Sequence, residues 1–157
     1  MRHKSDHIMS IKLVVGDEVL NVICVYVPQV GLVEDIKKVF WEELEEVMQS
    51  VPQNEKLCLG EDFNGHIGGK ADGYDRTHGG FRFRERNSGG VRILDFTVAF
   101  DLSIVNSLFK KRESHLVTFR SGSSKTQIDY FLIRANSSRM CKDCKVIPSE
   151  CVGTQHR

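Results

Sequence analysis

The sequence predicts an α/β fold, a mixed β-sheet with two helices packed on one of its sides. Three observations carry this expectation. A strand-helix-strand order occupies the first half of the chain, and the strands flanking that helix are apolar at nearly every position, as strands inside a covered sheet are. A second amphipathic helix follows a long glycine-rich loop and leads into further short strands.

In chain order, Met9, Ile11, Leu13 and Val15 alternate with Ser10, Lys12 and Val14, the period of a strand with one buried face. Gly16-Asp17 turns the chain. The run from Val19 to Val27 then reads as the second arm of a hairpin, a central strand that Pro28 ends. From Val33 to about Val51, Val33, Ile36, Phe40, Leu44, Val47 and Val51 recur in steps of three and four. Glu34, Lys37, Glu42, Glu45 and Glu46 fill the other side, which gives an amphipathic helix with a solvated acidic face. Leu57-Cys58-Leu59 is the next strand. A right-handed crossover makes it parallel to the Val19–Val27 strand and brings their carboxyl ends to one edge.

The segment from Ile67 to Gly90 is a long loop, and loops of that length inside a domain tend to be functional or disordered. Within it Phe81-Arg82-Phe83-Arg84 alternates aromatics with cations, a pattern suited to stacking on bases and touching phosphates, or to an ordinary surface loop that tucks its phenylalanines inward. After Asn87-Ser88, either of which can cap a helix, Val91, Ile93, Leu94, Phe96, Val98 and Phe100 predict a second helix packed on the sheet. Leu102–Val105, Leu116–Phe119, Thr126–Ile133 and Lys145–Ile147 read as further strands. The third has Asp129 in its midst, an unfavourable place for an acid unless it meets a histidine, an arginine, a metal or a turn hydrogen bond.

Composition bounds the function. With 157 residues and 40% hydrophobic content the chain can form one globular domain over 1–157. Lys and Arg total 22 against 21 Asp and Glu, which excludes a protein that grips nucleic acid by bulk charge but leaves room for a local basic stripe. No apolar run approaches the roughly 20 residues of a membrane span, and Met1–His7 lacks the apolar core of a signal peptide. A soluble intracellular protein, nuclear or cytoplasmic and without a membrane partner, is expected. Five cysteines, an odd number, fit reduced thiols better than a disulfide framework. Cys141, Cys144, Cys151 and His156 have a spacing that can wrap zinc, although the paired spacing of well-defined zinc sites is absent.

The chemistry concentrates in Gly60-Glu61-Asp62-Phe63-Asn64-Gly65-His66, where an apolar strand stops at a glycine and gives way to carboxylates, an amide and an imidazole. An Asx-rich turn accounts for such a stretch; so does a ligand site, because open α/β sheets hold ligands at the carboxyl ends of their strands. Tyr26 and Gln29 close the neighbouring strand on the same expected rim.

Taken together and in order, Val25-Tyr26-Val27-Pro28, Gly60–His66, Gln127-Ile128-Asp129-Tyr130-Phe131-Leu132 and Gln155-His156 resemble the motifs of the endonuclease/exonuclease/phosphatase superfamily. The likeness is to its apurinic-type endonuclease domain of non-LTR retrotransposons and to the craniofacial development protein 2-like sequences. The resemblance implies a partial endonuclease/exonuclease/phosphatase-type sandwich, one mixed sheet with its helices on one side. It implies a divalent-metal-dependent phosphodiesterase that hydrolyses nucleic acid, with DNA as partner and Mg²⁺ or Mn²⁺ as cofactor.

Its implied roles are these. Asp62 takes the proton of the attacking water and touches the metal, Asn64 orients that water and contacts the phosphate, and Tyr26 hydrogen-bonds the phosphate. His156, held by Asp129, stabilises developing charge, and Gln29 is a further phosphate contact. Independently of the resemblance, the alternation Phe81-Arg82-Phe83-Arg84 is the expected nucleic-acid contact. The family domain also begins with strands bearing an Asn and a metal-binding Glu, ends with a further core strand, and has Asp where this chain has Gln155. The expectation is therefore a weakened enzyme, with a homodimer partner covering the sheet edge. A non-catalytic remnant that serves as a binding or interaction module is the other reading.

Overall fold

The structure, a computed structural model, describes residues 2–28, 34–81, 85–148 and 155. The strands are β1 (Arg2–Ser5), β2 (Ile8–Val15), β3 (Glu18–Tyr26), β4 (Lys56–Asp62), β5 (Leu102–Ile104), β6 (Phe119–Ser121), β7 (Ser124–Thr126) and β8 (Asp129–Arg134), and the helices are α1 (Glu34–Gln49) and α2 (Ser88–Ala99). Six strands form one mixed sheet in the order β1-β2-β3-β4-β8-β5, and β6-β7 is a separate hairpin. β3 and β4 pair in parallel, as the crossover through α1 requires, and every other pair in the large sheet is antiparallel.

Both helices lie on one side, as the sequence predicts. Phe40, Trp41, Leu44 and Met48 of α1 and Ile93, Leu94 and Phe96 of α2 are buried against Ile8, Ile23, Val25, Leu57, Leu59, Tyr130 and Leu132 of the sheet. The helices also meet each other, with the Trp41 and Phe96 rings 5.3 Å apart. Asn87 is the residue that caps α2, its Oδ1 accepting from Gly90 N at 2.8 Å and from His66 N at 3.0 Å.

Several expectations need correction. Met9, Ile11, Leu13 and Val15 do not form the buried face of β2. The pairing Ile8↔Val25 turns Ile8 toward the helices, and the alternating set lies on the far side, where Leu13 is 44% and Val15 70% exposed. The strand β1, which completes an N-terminal hairpin, has no apolar pattern to announce it. Leu116–Thr118 precedes a strand rather than forming one, because a 3-10 turn over Glu113–His115 occupies that approach. Lys145–Ile147 makes no strand; Val146 N donates to His115 O instead. Asp129 is not in the midst of a strand but opens β8, where an acid has no ladder interior to disturb.

The far end of the sheet is tied by Arg134. Its guanidinium donates to the carbonyls of Val51, Pro52 and Glu55 and to Gln53 Oε1, which fastens the turn between α1 and β4 to the end of β8. The long loop is organised by similar means. Arg86 donates to the carbonyls of Ile67, Lys70 and Ala71, and buried His78 donates from Nε2 to Gly68 O while Nδ1 accepts from Gly80 N. At the loop's close the first turn of α2 lies flat on residues 64–67, so closely that a Cβ on Gly90 would overlap the His66 carbonyl. Gly90→Ala is expected to cost about 2–3 kcal/mol through this overpacking. Urea unfolding should show a lower midpoint with an unchanged slope; an unchanged midpoint would mean that this close approach is not maintained.

Candidate active site

Three strands deliver the candidate side chains to one rim. Tyr26 is the register partner of Asp62 across β3-β4, and Asp62 is that of Asp129 across β4-β8. Register partners share a face and neighbouring strands lie roughly 4.8 Å apart, so the phenol and the two carboxylates form a short row on the face away from the helices. Asp62, in the middle of the row, is only 6% exposed, whereas Tyr26 at its end is 42% exposed and Asp129 is half-buried.

Backbone bonds fix this rim. Val27 N donates to Asp62 O at 2.8 Å and Phe63 N donates to Ile128 O at 2.8 Å, so the ends of β3, β4 and β8 are laced together. Asn64 N donates to Asp62 Oδ1 at 2.8 Å, which is an Asx turn. Asn64 itself has φ +48°, a left-handed conformation that asparagine tolerates better than most residues, and its Nδ2 donates to Val27 O at 2.7 Å. The structure shows the Asx turn, and that turn presents Asp62 and Asn64 at the rim. Asp129 is set by Thr118, whose buried hydroxyl oxygen accepts from both Ile128 N and Asp129 N.

Two residues that sequence reasoning passed over complete the frame. His7, in the turn between β1 and β2, stacks on the Tyr26 ring with centroids 5.9 Å apart and 11° between planes, and its Nδ1 donates to Tyr26 O at 3.0 Å. Only recognition of the N-terminal hairpin would have placed it there. Tyr130, fully buried, has its hydroxyl 2.9 Å from Gly65 O and 2.6 Å from Gln127 O, joining the Asn64 turn to the approach of β8. Its apolar neighbours mask that role in the sequence. Beside it His66 Nδ1 lies 3.4 Å from Gln127 O, and Gln127 Oε1 is buried without a partner among the described residues.

Not every expected residue is on this rim. Gln29, Arg82, Phe83, Arg84 and His156 lie outside the described residues. Phe81 is exposed rather than tucked inward, and its N–H donates to Ser107 O beyond β5. Gln155 is tied to β6, with its carbonyl accepting from Arg120 N at 2.9 Å. Of the expected zinc ligands, Cys141 and Cys144 are half-buried free thiols and Cys151 and His156 lie outside the described residues. Burial, with Cys141 and Asp143 nearby, pushes the Cys144 thiol up to about 11, which disfavours the thiolate that binds metal.

Among the described residues no three His, Cys, Asp or Glu side chains gather to hold a metal ion. The rim presents two carboxylates as register partners, Asp62 and Asp129; Mg²⁺ takes one or two carboxylates and fills its shell with water and substrate phosphate.

Comparison with known proteins bears on the fold. No family model matches the chain. A search of solved structures finds the endonuclease domain of TRAS1, a telomere-specific non-LTR retrotransposon, with a TM-score of 0.57 and 13% identity over 80% of this chain and 48% of that one. The fold is thus of the kind seen in that endonuclease domain, a mixed α/β arrangement with one mixed sheet. By sequence the chain is 27% identical over 156 residues, 98% of its length, to craniofacial development protein 2 of Bos taurus and, equally, to that of Tragulus javanicus. It spans about a quarter of the length of these curated relatives, 26% and 27%. No helix among the described residues is long and apolar enough to cross a membrane.

Removing the Tyr130 hydroxyl tests the frame. Tyr130→Phe removes the single O–H that Gly65 O and Gln127 O share and is expected to destabilise the protein by about 1–3 kcal/mol. Amide exchange over residues 63–67 should accelerate more than exchange in α1. Equal acceleration in both would show that Tyr130 supports the fold at large and not the rim.

Proposed function

We propose that this chain hydrolyses phosphodiester bonds in DNA with the help of a divalent cation. The observation that carries the reading is the register row Tyr26, Asp62 and Asp129, with Asn64 held beside it by the Asx turn. Hydrolysis of a phosphodiester needs a water made nucleophilic and a phosphate whose growing charge is offset. Asp62, buried and oriented by Asn64 N, accepts the proton of the attacking water; Asn64 positions that water against the phosphorus; Tyr26 donates its phenolic O–H to a non-bridging oxygen. Asp129 holds His156, which offsets charge on the phosphoryl group. Asp62, with Asp129 beside it, would hold Mg²⁺ or Mn²⁺, which supplies Lewis-acid neutralisation of the phosphate. Gln29 and the Phe81–Arg84 segment contact the strand beyond.

A second reading is a non-catalytic binding or interaction module, favoured by the absence among the described residues of any three metal-ligating side chains grouped together. Cleavage of supercoiled and abasic DNA separates the two. Cleavage should rise with Mg²⁺ or Mn²⁺ only at about millimolar concentrations, since two carboxylates hold the ion weakly. Asp62→Ala should lower the rate by about a hundredfold or more while DNA binding persists, and Tyr26→Phe by about tenfold. Activity unchanged in Asp62→Ala would overturn the assigned site. DNA binding without metal-stimulated cleavage by the unaltered chain would select the binding module.

A further inference from the structure

On the helix side of the rim, between the first turns of α1 and α2, lies a cavity of about 520 Å³. Three cations line it: Lys37 and Lys38 of α1 and Arg92 of α2. Each has a carboxylate at hand, Glu34 at 2.8 Å from Lys37, Glu42 at 3.9 Å from Lys38 and Glu45 at 3.3 Å from Arg92. Only Glu34 also lines the cavity, so the lining bears three positive charges and one negative. These are surface pairs, weak enough for an incoming anion to displace them.

One part of the remaining wall is apolar, formed by Val27, Pro28, Phe63 and Trp41, with Asn64, Ser88 and Gly89 completing the lining, and Arg92 lies over the Trp41 ring at 5.3 Å. A site with a cationic mouth and an apolar wall suits a ligand with phosphate at one end and a sugar or base at the other. Arginine offers a planar fork that matches phosphate, and lysine a mobile point charge. The volume lies in the range of ligand pockets and exceeds what a lone phosphate fills.

The position narrows the ligand further. Asn64 lines the cavity, while its backbone N–H bonds Asp62 Oδ1 at the rim. A strand whose phosphate lay against Asp62 would therefore have a flanking nucleotide within reach of the cavity. We infer that the cavity framed by Lys37, Lys38, Arg92 and Asn64 is a subsite for a nucleotide of the DNA strand flanking the bond at the Asp62 rim. The inference rests on the hydrolase reading for its placement beside the bond, but it concerns binding and is tested without cleavage.

The test is the salt dependence of affinity for a short fluorescent DNA duplex, followed by anisotropy in EDTA. The comparison sets the variant Lys37→Gln/Lys38→Gln/Arg92→Gln against Lys12→Gln/Lys56→Gln/Arg76→Gln. The second variant removes the same charge from surface ion pairs at the opposite end of the sheet. The cavity variant should bind about tenfold or more weakly, with a slope of log affinity against log salt shallower by roughly 0.9 for each phosphate that is no longer neutralised. The opposite-end variant should bind almost as the unaltered chain does.

Equal weakening in both variants would show a bulk-charge effect, and an unchanged slope in the cavity variant would show that DNA does not enter; either result overturns the inference. Adenosine monophosphate and inorganic phosphate serve as competitors. If either displaced the duplex from the unaltered chain but not from the cavity variant, strand and free nucleotide or phosphate would share the cavity, as the inference expects; if either bound at the cavity without displacing the duplex, the site would be one for the free ligand and the strand assignment would fall. Should the cavity variant fail to fold, the single changes Lys38→Gln and Arg92→Gln, both at exposed positions, are read by the same slope. A failure of metal-stimulated cleavage with this binding pattern intact would count against the hydrolase and leave the subsite standing.

Discussion

The position of β4 between a parallel neighbour and an antiparallel one governs the molecule. Its carboxyl end meets the carboxyl end of β3 but the amino end of β8, so a residue that closes one strand lies beside a residue that opens another. That mixed pairing is why Tyr26, Asp62 and Asp129, far apart in sequence, become lateral neighbours. Strand register has a period of two, and a slip by one residue would send Asp62 toward the helices and Leu59 toward solvent. The burial of Leu57 and Leu59 under α1 and α2 therefore holds the carboxylate row as much as any polar contact does.

The parts of this arrangement that could be read from the sequence are those with a periodic signal. The helix α1 follows from apolar steps of three and four, and β3 and β4 follow from runs of apolar residues closed by Pro28 and Gly60. Their parallel pairing follows from the helix between them. The face of β2 was not legible in the same way. Alternation states that two faces differ but not which is covered, and the pairing Ile8↔Val25 decides the matter. Asp129 was legible as an acid needing a partner, yet its place at the start of β8 depends on Thr118, a hydroxyl upstream with no distinguishing pattern.

Buried cations here serve backbone geometry more than ligands. Arg86 commits its guanidinium to three carbonyls, and Arg134 does the same for the turn after α1. Long stretches without helix or strand leave carbonyls that need donors, and arginine reaches several at once. The cations that remain toward solvent near the rim, Lys37, Lys38 and Arg92, sit on helices instead, and helices hold a charge at a defined height above the sheet.

The separation in sequence between β4 and β8 has a kinetic consequence. The unit β3-α1-β4 closes a short loop and can form early, whereas β8 must return across the long loop and α2 before it can pair, and such non-local pairings are slow to form. Until β8 arrives, Phe63 N and the Gly65 carbonyl have no partners from that strand's approach, and the turn that presents Asn64 lacks its brace. The carboxylate row thus waits on a long-range pairing, so a nascent chain that has made only its first helix and first four strands has β3 and β4 side by side but neither the part of the core that α2 and β8 bring nor the assembled rim.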